Sequence, residues 1–124
     1  MSELSGIHHV SVLVADLERS LEFYGGLLGL AIDGSRPDIG FPGAWLQVGD
    51  QQIHLLQLPD PDPLKDRPAH AGRDRHAAFS VTDLQVLEGR LSAAEISFTR
   101  SRSGRRAVFC RDPDGNGIEL VEVV

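Results

Sequence analysis

The chain contains an internal repeat, and this repeat constrains its fold more than any other feature. The segment His9-Val-Ser-Val-Leu-Val-Ala-Asp16-Leu17 aligns with His76-Ala-Ala-Phe-Ser-Val-Thr-Asp83-Leu84, with His, Val, Asp and Leu at matching positions. An Ile-X-Leu motif follows in each copy, around His54 and around Glu119, at nearly the same distance from the opening histidine. A repeat of this kind predicts two modules with the same chain path, over residues 5–57 and 75–124.

Residues 58–74 connect the two modules. This segment contains Pro59, Pro61, Pro63 and Pro68, and proline disrupts helix interiors and central strands. We predict an extended linker and a single domain over residues 1–124, built from both modules.

Each module is predicted to run strand, helix and three strands. Residues 7–14 alternate and are rich in valine, which favours a strand, and Asp16 is a suitable N-cap for a helix over 17–28. The second module has its corresponding helix stripe over 84–94, after Asp83. The remaining strands are predicted at 30–33, 44–48, 52–56, 77–81, 98–100, 107–110 and 118–123. This pattern indicates the α+β class with largely antiparallel sheets.

Four residues of types that bind metal ions are predicted to lie on the sheet face that does not pack against a helix. Because side chains alternate along a strand, His9, His54, His76 and Glu119 point away from the helix-packed side. A lone strand histidine is more often an ordinary structural residue, but four equivalent positions in a repeat indicate a site. Three imidazoles and one carboxylate suit one divalent ion of Zn, Ni, Mn, Fe or Co. Small residues such as Ser11 leave room for a ligand.

Composition narrows the classes of partner. Eighteen acidic and twelve basic residues give a net charge of −6, which disfavours general nucleic-acid binding. The single cysteine, Cys110, excludes an intrachain disulfide framework and a multi-cysteine metal site. Without a transmembrane-length apolar run or a signal peptide, we expect a cytoplasmic protein with no membrane partner.

Both ends of the chain resemble one family. The segment from Gly6 to Tyr24 and the segment Asp112-Pro-Asp-Gly-Asn-Gly-Ile-Glu119-Leu are similar to the first and last motifs of the vicinal oxygen chelate superfamily, also called the glyoxalase/bleomycin-resistance/dioxygenase fold. The resemblance implies two paired βαβββ modules that form a curled mixed sheet around a metal cleft, and a homodimer. It also implies that His9, His76 and Glu119 bind the metal ion. His54 stands where glyoxalase I carries a glutamate.

The resemblance is closest to glyoxalase-I-like members. It implies a metal-dependent lyase or isomerase that acts on a small substrate with adjacent oxygens, such as the hemithioacetal of methylglyoxal and glutathione. Glu119 and His54 are the candidate catalytic residues. Arg105 and Arg106 are candidate ligands for the carboxylates of such a thiol, although a solvated loop is the simpler interpretation.

Three alternatives remain open. A thiol transferase of the fosfomycin-resistance type would use His9, His76 and Glu119, with Trp45 near the metal and substrate. However, its arginine after the last strand is absent from residues 120–124. An extradiol-type dioxygenase would use the same three ligands. A non-catalytic small-molecule binding protein, as in bleomycin resistance, would need none of them.

Overall fold

The computed structural model describes residues 2–62 and 64–123. The chain divides into two compact units, Met1–Asp60 and Pro61–Val124. Each unit contains one four-stranded mixed sheet, so the predicted α+β class is confirmed. Within the described ranges, no helix is both long enough and apolar enough to cross a membrane.

The first unit follows the predicted order of elements. Its strands are β1 (His9–Val14), β2 (Ala31–Asp33), β3 (Gly43–Val48) and β4 (Gln51–Gln57), with helix α1 (Leu17–Leu21) after β1. The strand order in the sheet is β1-β4-β3-β2, and only β1 and β4 are parallel. Asp16 caps α1 as predicted, since its side chain accepts hydrogen bonds from two backbone N–H groups of the first turn.

Helix α1 is shorter than the sequence predicts. The chain continues as a π-helix over Glu22–Leu27, so the expected regular α-helix to residue 28 is wrong. The Leu28 N–H donates to the Phe23 carbonyl, five residues earlier, at 2.9 Å. Two consecutive glycines, Gly25 and Gly26, weaken the α-helical preference here. The wider π turn buries the consecutive rings of Phe23 and Tyr24.

The second unit repeats the topology of the first. Its strands are β5 (His76–Val81), β6 (Thr99–Arg100), β7 (Ala107–Arg111) and β8 (Gly117–Glu122), and helix α2 spans Leu84–Ala93. The strand order is β5-β8-β7-β6, again with one parallel pair, β5 and β8. Asp83 caps α2 by accepting from the Val86 N–H at 3.3 Å.

The segment between the modules is not wholly extended. Residues Ala71–Arg73 form a short 3-10 turn, and Arg111 of β7 donates to the Pro68 carbonyl at 2.6 Å. Pro63 lies outside the described residues. The later part of the predicted linker is therefore tied to the sheet of the second unit.

Each unit has its own apolar core, formed by the side chains that alternate with the candidate ligands. Ile53 and Leu55 flank His54, and Ile118 and Leu120 flank Glu119; all four apolar side chains are at most 1% exposed. Burying a side chain of this size contributes about 1.5–3 kcal/mol. Since the core fixes the register of β4 and β8, it also fixes which face His54 and Glu119 occupy.

Candidate functional site

In the first unit, three rings form a stack on the face of the sheet opposite the core. The His54 ring lies 4.0 Å from the His9 ring at an interplanar angle of 16°. On its other side, it lies 4.8 Å from the Trp45 ring at 14°. Strand pairing explains the stack, because Trp45 of β3 and Ser11 of β1 are the register partners of His54. The predicted site residues of this unit therefore lie on one surface.

The surroundings of His54 favour the neutral form of its imidazole. Partial burial lowers the pKa of His54, and repulsion from the neighbouring His9 and His8 rings lowers it further. Its Nε2 lies 2.8 Å from the Gln52 side-chain oxygen. A neutral ring keeps one lone pair, which is the form that binds a metal ion or accepts a proton.

His8 does not lie where strand alternation places it. The sequence predicts His8 on the helix-packed face, but its ring is exposed and its Nδ1 lies 2.8 Å from Nδ1 of His9. Strand β1 begins only at His9, so the alternation does not extend to residue 8. His8 is thus a direct neighbour of a candidate ligand.

In the second unit, His76 and Glu119 form a pair. His76 Nε2 lies 3.1 Å from Glu119 Oε1, and the Glu119 side chain is only 4% exposed. His76 Nδ1 lies 2.8 Å from the Asp74 carbonyl oxygen. Because a carbonyl oxygen only accepts, Nδ1 carries a hydrogen, and Nε2 is the ring nitrogen that faces the carboxylate. This is the usual arrangement of a metal-binding histidine, with the second ring nitrogen fixed by a backbone oxygen.

The environment of Glu119 fits a cation. Its second oxygen, Oε2, is buried and has no hydrogen-bond partner among the described residues. An ionised carboxylate that is buried with one oxygen unpartnered is costly unless a positive charge compensates it. A divalent ion bound by Glu119 and His76 Nε2 would supply that charge, and carboxylate and imidazole are ordinary ligands for it.

Asp74 and Phe109 support His76 and were not predicted from the sequence. Burial opposes ionisation of Asp74, but hydrogen bonds from Arg111, the Arg75 N–H and Arg67 outweigh it and lower the pKa of the carboxyl group. The Phe109 ring packs edge-on against the His76 ring at 5.2 Å. Phe109 is the register partner of Glu119 on β7.

Arg106 lies on the helix side of the second sheet. It forms an ion pair with Glu122, and the other Glu122 oxygen accepts from the Leu84 N–H at the start of α2 at 3.0 Å. Glu119 and Glu122 point to opposite faces of β8, because they are three residues apart on one strand. The Arg105 side chain donates to Ser103 at 3.3 Å. A role of Arg105 and Arg106 in substrate binding stays a prediction.

The hairpin that carries Arg100, Arg102, Arg105 and Arg106 borders a cavity of about 560 Å³ next to α2. Its lining includes Leu84, Glu88, Arg100 and Arg105. The Arg100 guanidinium is paired with Glu88 at 2.6 Å. Much of the positive charge of this hairpin is thus already matched by carboxylates.

The candidate ligands come together as two pairs, His9 with His54 and His76 with Glu119. Within residues 2–62 and 64–123, no group of three or more His, Cys, Asp or Glu side chains is placed to hold a metal ion. Cys110 contributes no ligand, since burial raises the pKa of its thiol to about 12 and the thiolate is the form that binds metals.

Comparison with known proteins gives a consistent set of similarities. Residues 6–120 match the model of the Glyoxalase/Bleomycin resistance protein/Dioxygenase superfamily. The chain is 34% identical over 123 residues to Glyoxylase I 4 of Arabidopsis thaliana, covering 94% of this chain and 70% of that protein.

Two solved structures share the fold. A glyoxalase family protein from Bacillus anthracis superposes with a TM-score of 0.80 at 25% identity, covering 100% of this chain and 99% of the other. A mutant of FosX, a fosfomycin resistance protein from Listeria monocytogenes, superposes with a TM-score of 0.75 at 18% identity, covering 98% and 94%. The FosX structure contains Mn(II) and 1S,2S-dihydroxypropylphosphonic acid.

Proposed function

This chain belongs to the Glyoxalase/Bleomycin resistance protein/Dioxygenase superfamily, and we propose that it is a divalent-metal enzyme of the glyoxalase-I-like group. The observation that carries the proposal is the buried, unpartnered Oε2 of Glu119 beside His76 Nε2. A protein that only enclosed an apolar ligand would gain nothing from that arrangement, because it costs stability without a cation. The 34% identity to Glyoxylase I 4 supports the choice of group.

In this proposal the two pairs of donors serve one ion. His9, His76 and Glu119 bind it, and His54 is either a fourth ligand or a proton acceptor. Each unit supplies two of the four predicted donors, fewer than the three protein ligands of a typical catalytic site. The proposal therefore requires both pairs, taken from one chain or from the two chains of a homodimer.

In the proposed reaction, the metal ion and the side chains of the protein have separate roles. When bound, a divalent ion polarises the adjacent oxygens of a substrate and stabilises the negative charge that forms on loss of a proton. In the proposal, Glu119 would leave the ion to accept that proton from one substrate carbon and return it to the adjacent carbon, with His54 as the second acceptor. The Trp45 face and the small Ser11 side chain form a wall against which the rest of the substrate packs.

The proposed substrate is the hemithioacetal of methylglyoxal and glutathione, and the proposed reaction is its isomerisation. One difference from a two-glutamate site matters here. With His54 in place of a carboxylate, the four proposed ligands carry one negative charge fewer, so an ion held by them would keep more positive charge.

The test is metal analysis of the purified protein, followed by assays of the Ni-, Zn-, Mn- and Fe-loaded forms. We expect one ion per site and isomerisation of the hemithioacetal by at least one form. Assays with fosfomycin plus a thiol, and with a catechol, distinguish the alternative reactions. A protein that binds none of these ions would overturn the proposal.

A mixing experiment tests whether the site is shared between chains. His9→Ala and His76→Ala variants are expected to be inactive alone. If the donors combine across a homodimer, mixed dimers regain one intact site and some activity. If they combine within one chain, mixing restores nothing.

A further inference from the structure

We propose that Asp33 and Gln52 are positioning residues that hold His54 in one tautomer, with its hydrogen on Nε2 and its lone pair on Nδ1. The functional part of this inference rests on the proposed function, since it identifies Nδ1 as the atom through which His54 serves the site. The tautomer itself depends only on the hydrogen-bond network of the first unit.

The first step is the orientation of the Gln52 amide. One of its terminal atoms lies 2.8 Å from Asp33 Oδ2 and 3.0 Å from the Gln47 side-chain oxygen. An ionised carboxylate only accepts hydrogen bonds, so the atom that faces Asp33 is the amide nitrogen. Gln47 agrees with this orientation, because its own nitrogen donates to the carbonyls of Gly49 and Gln51 and its oxygen is left to accept.

Asp33 is itself fixed as an anion. Its other oxygen, Oδ1, accepts from the Ser35 N–H at 2.9 Å and from the Ser35 hydroxyl at 2.7 Å. These hydrogen bonds, together with the one from Gln52, lower the pKa of the Asp33 carboxyl group. Oδ2 is therefore available as the acceptor for Gln52.

The second step is the tautomer of His54. Once the Gln52 nitrogen faces Asp33, its oxygen faces His54 Nε2 at 2.8 Å. That oxygen accepts, so Nε2 must carry a hydrogen, and a neutral imidazole has only one. The lone pair of His54 is consequently on Nδ1, which makes no hydrogen bond within residues 2–62 and 64–123.

The third step is the orientation of the ring. The stacks with His9 on one face and Trp45 on the other restrict its rotation. The Gln52 hydrogen bond then selects which edge is protonated. Partners of this kind, one bond away from a ligand, usually contribute a factor of about 10–100 to metal affinity.

The experiment measures the tautomer in the metal-free, full-length protein. Long-range proton–nitrogen correlation spectra of the ¹⁵N-labelled chain at about pH 8, where imidazoles are neutral, assign a protonated Nε2 and an unprotonated Nδ1 to His54. Gln52→Leu is expected to shift His54 toward the other tautomer. Gln51→Leu, an exposed neighbour on β4, is the matched control and leaves it unchanged. The His76 signals report whether the rest of the fold is intact.

A double substitution keeps the test valid if Gln52→Leu fails to fold. Gln52→Glu with Asp33→Asn exchanges the two groups: the new amide donates to the new carboxylate, which still accepts from His54 Nε2. We expect this variant to retain the wild-type tautomer. Protonation of Nδ1 in the wild-type protein, or an unchanged tautomer in Gln52→Leu, would overturn the inference.

Metal titration separates this inference from the proposed function. If both hold, Gln52→Leu weakens binding of Zn or Ni by about 10-fold or more. A changed tautomer with unchanged metal affinity would support the positioning role and refute the role of His54 Nδ1 in the site. A wild-type protein that binds no metal would refute the proposed function and leave the tautomer result standing.

Discussion

The two units have the same backbone arrangement but present different chemical groups at the equivalent positions. In both units, the first and last strands of the module are parallel neighbours. His54 on β4 pairs with Ser11, two positions after His9, and Glu119 on β8 pairs with Ala78, two positions after His76. The first unit thereby joins two imidazoles in a stack. The second joins an imidazole to a buried carboxylate. The fold sets the distance between the two positions, and the residue on the last strand sets the charge.

This difference assigns separate tasks to the units. The first supplies aromatic surface and imidazole donors, with one ring nitrogen of His54 directed by Gln52. The second supplies the negative charge, and it holds the unpartnered carboxylate oxygen. A cation would therefore be attracted mainly by Glu119.

The largest expected effect is on metal affinity, from Glu119→Gln. Loss of this charge should weaken binding of a divalent ion by more than the roughly 100-fold that partners outside the ligand set contribute. Isothermal titration calorimetry measures it. Glu122→Gln, a carboxylate on the opposite face of the same strand, is the matched control and should bind metal as wild type. Equal loss in both variants would show that Glu119 has no special role.

Arg111→Met should have the next largest effect, on the stability of the second unit. Arg111 donates to Asp74, to the Gly115 carbonyl and to the Pro68 carbonyl. Removing these charge-assisted bonds should lower the free energy of unfolding by about 1.5–3 kcal/mol, as measured by urea denaturation. Arg75→Met removes an ion pair with Asp62 that is exposed on both sides and should cost less than about 1 kcal/mol. Similar losses in the two variants would contradict this ranking.

Glu119→Leu should stabilise the metal-free protein. Replacing a buried carboxylate that lacks one partner removes a penalty of about 1–3 kcal/mol. His76 is 25% exposed, so water can replace its lost partner. Thermal unfolding with and without metal checks this: the variant should be more stable without metal and gain nothing from its addition. A less stable metal-free variant would indicate that Glu119 is a structural residue.

The smallest expected effect is on the stability of the protein at acidic pH. The folded-state pKa of Asp74 is below its ordinary value of 3.8, so its stabilising contribution is fully present above that value and is lost as the pH falls through the folded pKa. Urea denaturation from about pH 5 downward should show declining stability. Asp74→Asn should flatten the decline, whereas an unchanged slope would show that other carboxyl groups cause it. The same measurement on Asp16→Asn, which changes an exposed N-cap of the first unit, is the control with which the Asp74→Asn result is compared.

Much of the site follows from local rules. Alternation along β4 and β8 places Ile53 and Leu55, or Ile118 and Leu120, in the core and sends His54 or Glu119 to the other face. The pairing of β1 with β4 and of β5 with β8, which is a tertiary contact, then makes each pair of candidates neighbours. The N-caps Asp16 and Asp83 are also recognisable from a short stretch of sequence, because a capping side chain accepts from backbone N–H groups only two or three residues further along the chain.

Other features depend on contacts that a local pattern does not contain. The π-helix at Glu22–Leu27 results from burying Phe23 and Tyr24 together. Arg106 is placed by Glu122, sixteen positions further along the chain. The side chain of His8 departs from strand alternation because β1 begins only at His9.

The sequence by itself determined the repeated α+β modules, their core faces and the residue types that the two pairs present. The tertiary structure decided which ring nitrogen His54 and His76 offer and which oxygen of Glu119 is left without a partner. The reason is physical: hydrophobic alternation is a property of one strand, whereas a tautomer or an unpaired oxygen depends on hydrogen bonds that reach it from other parts of the fold. Asp33 affects His54 in this way from a different strand.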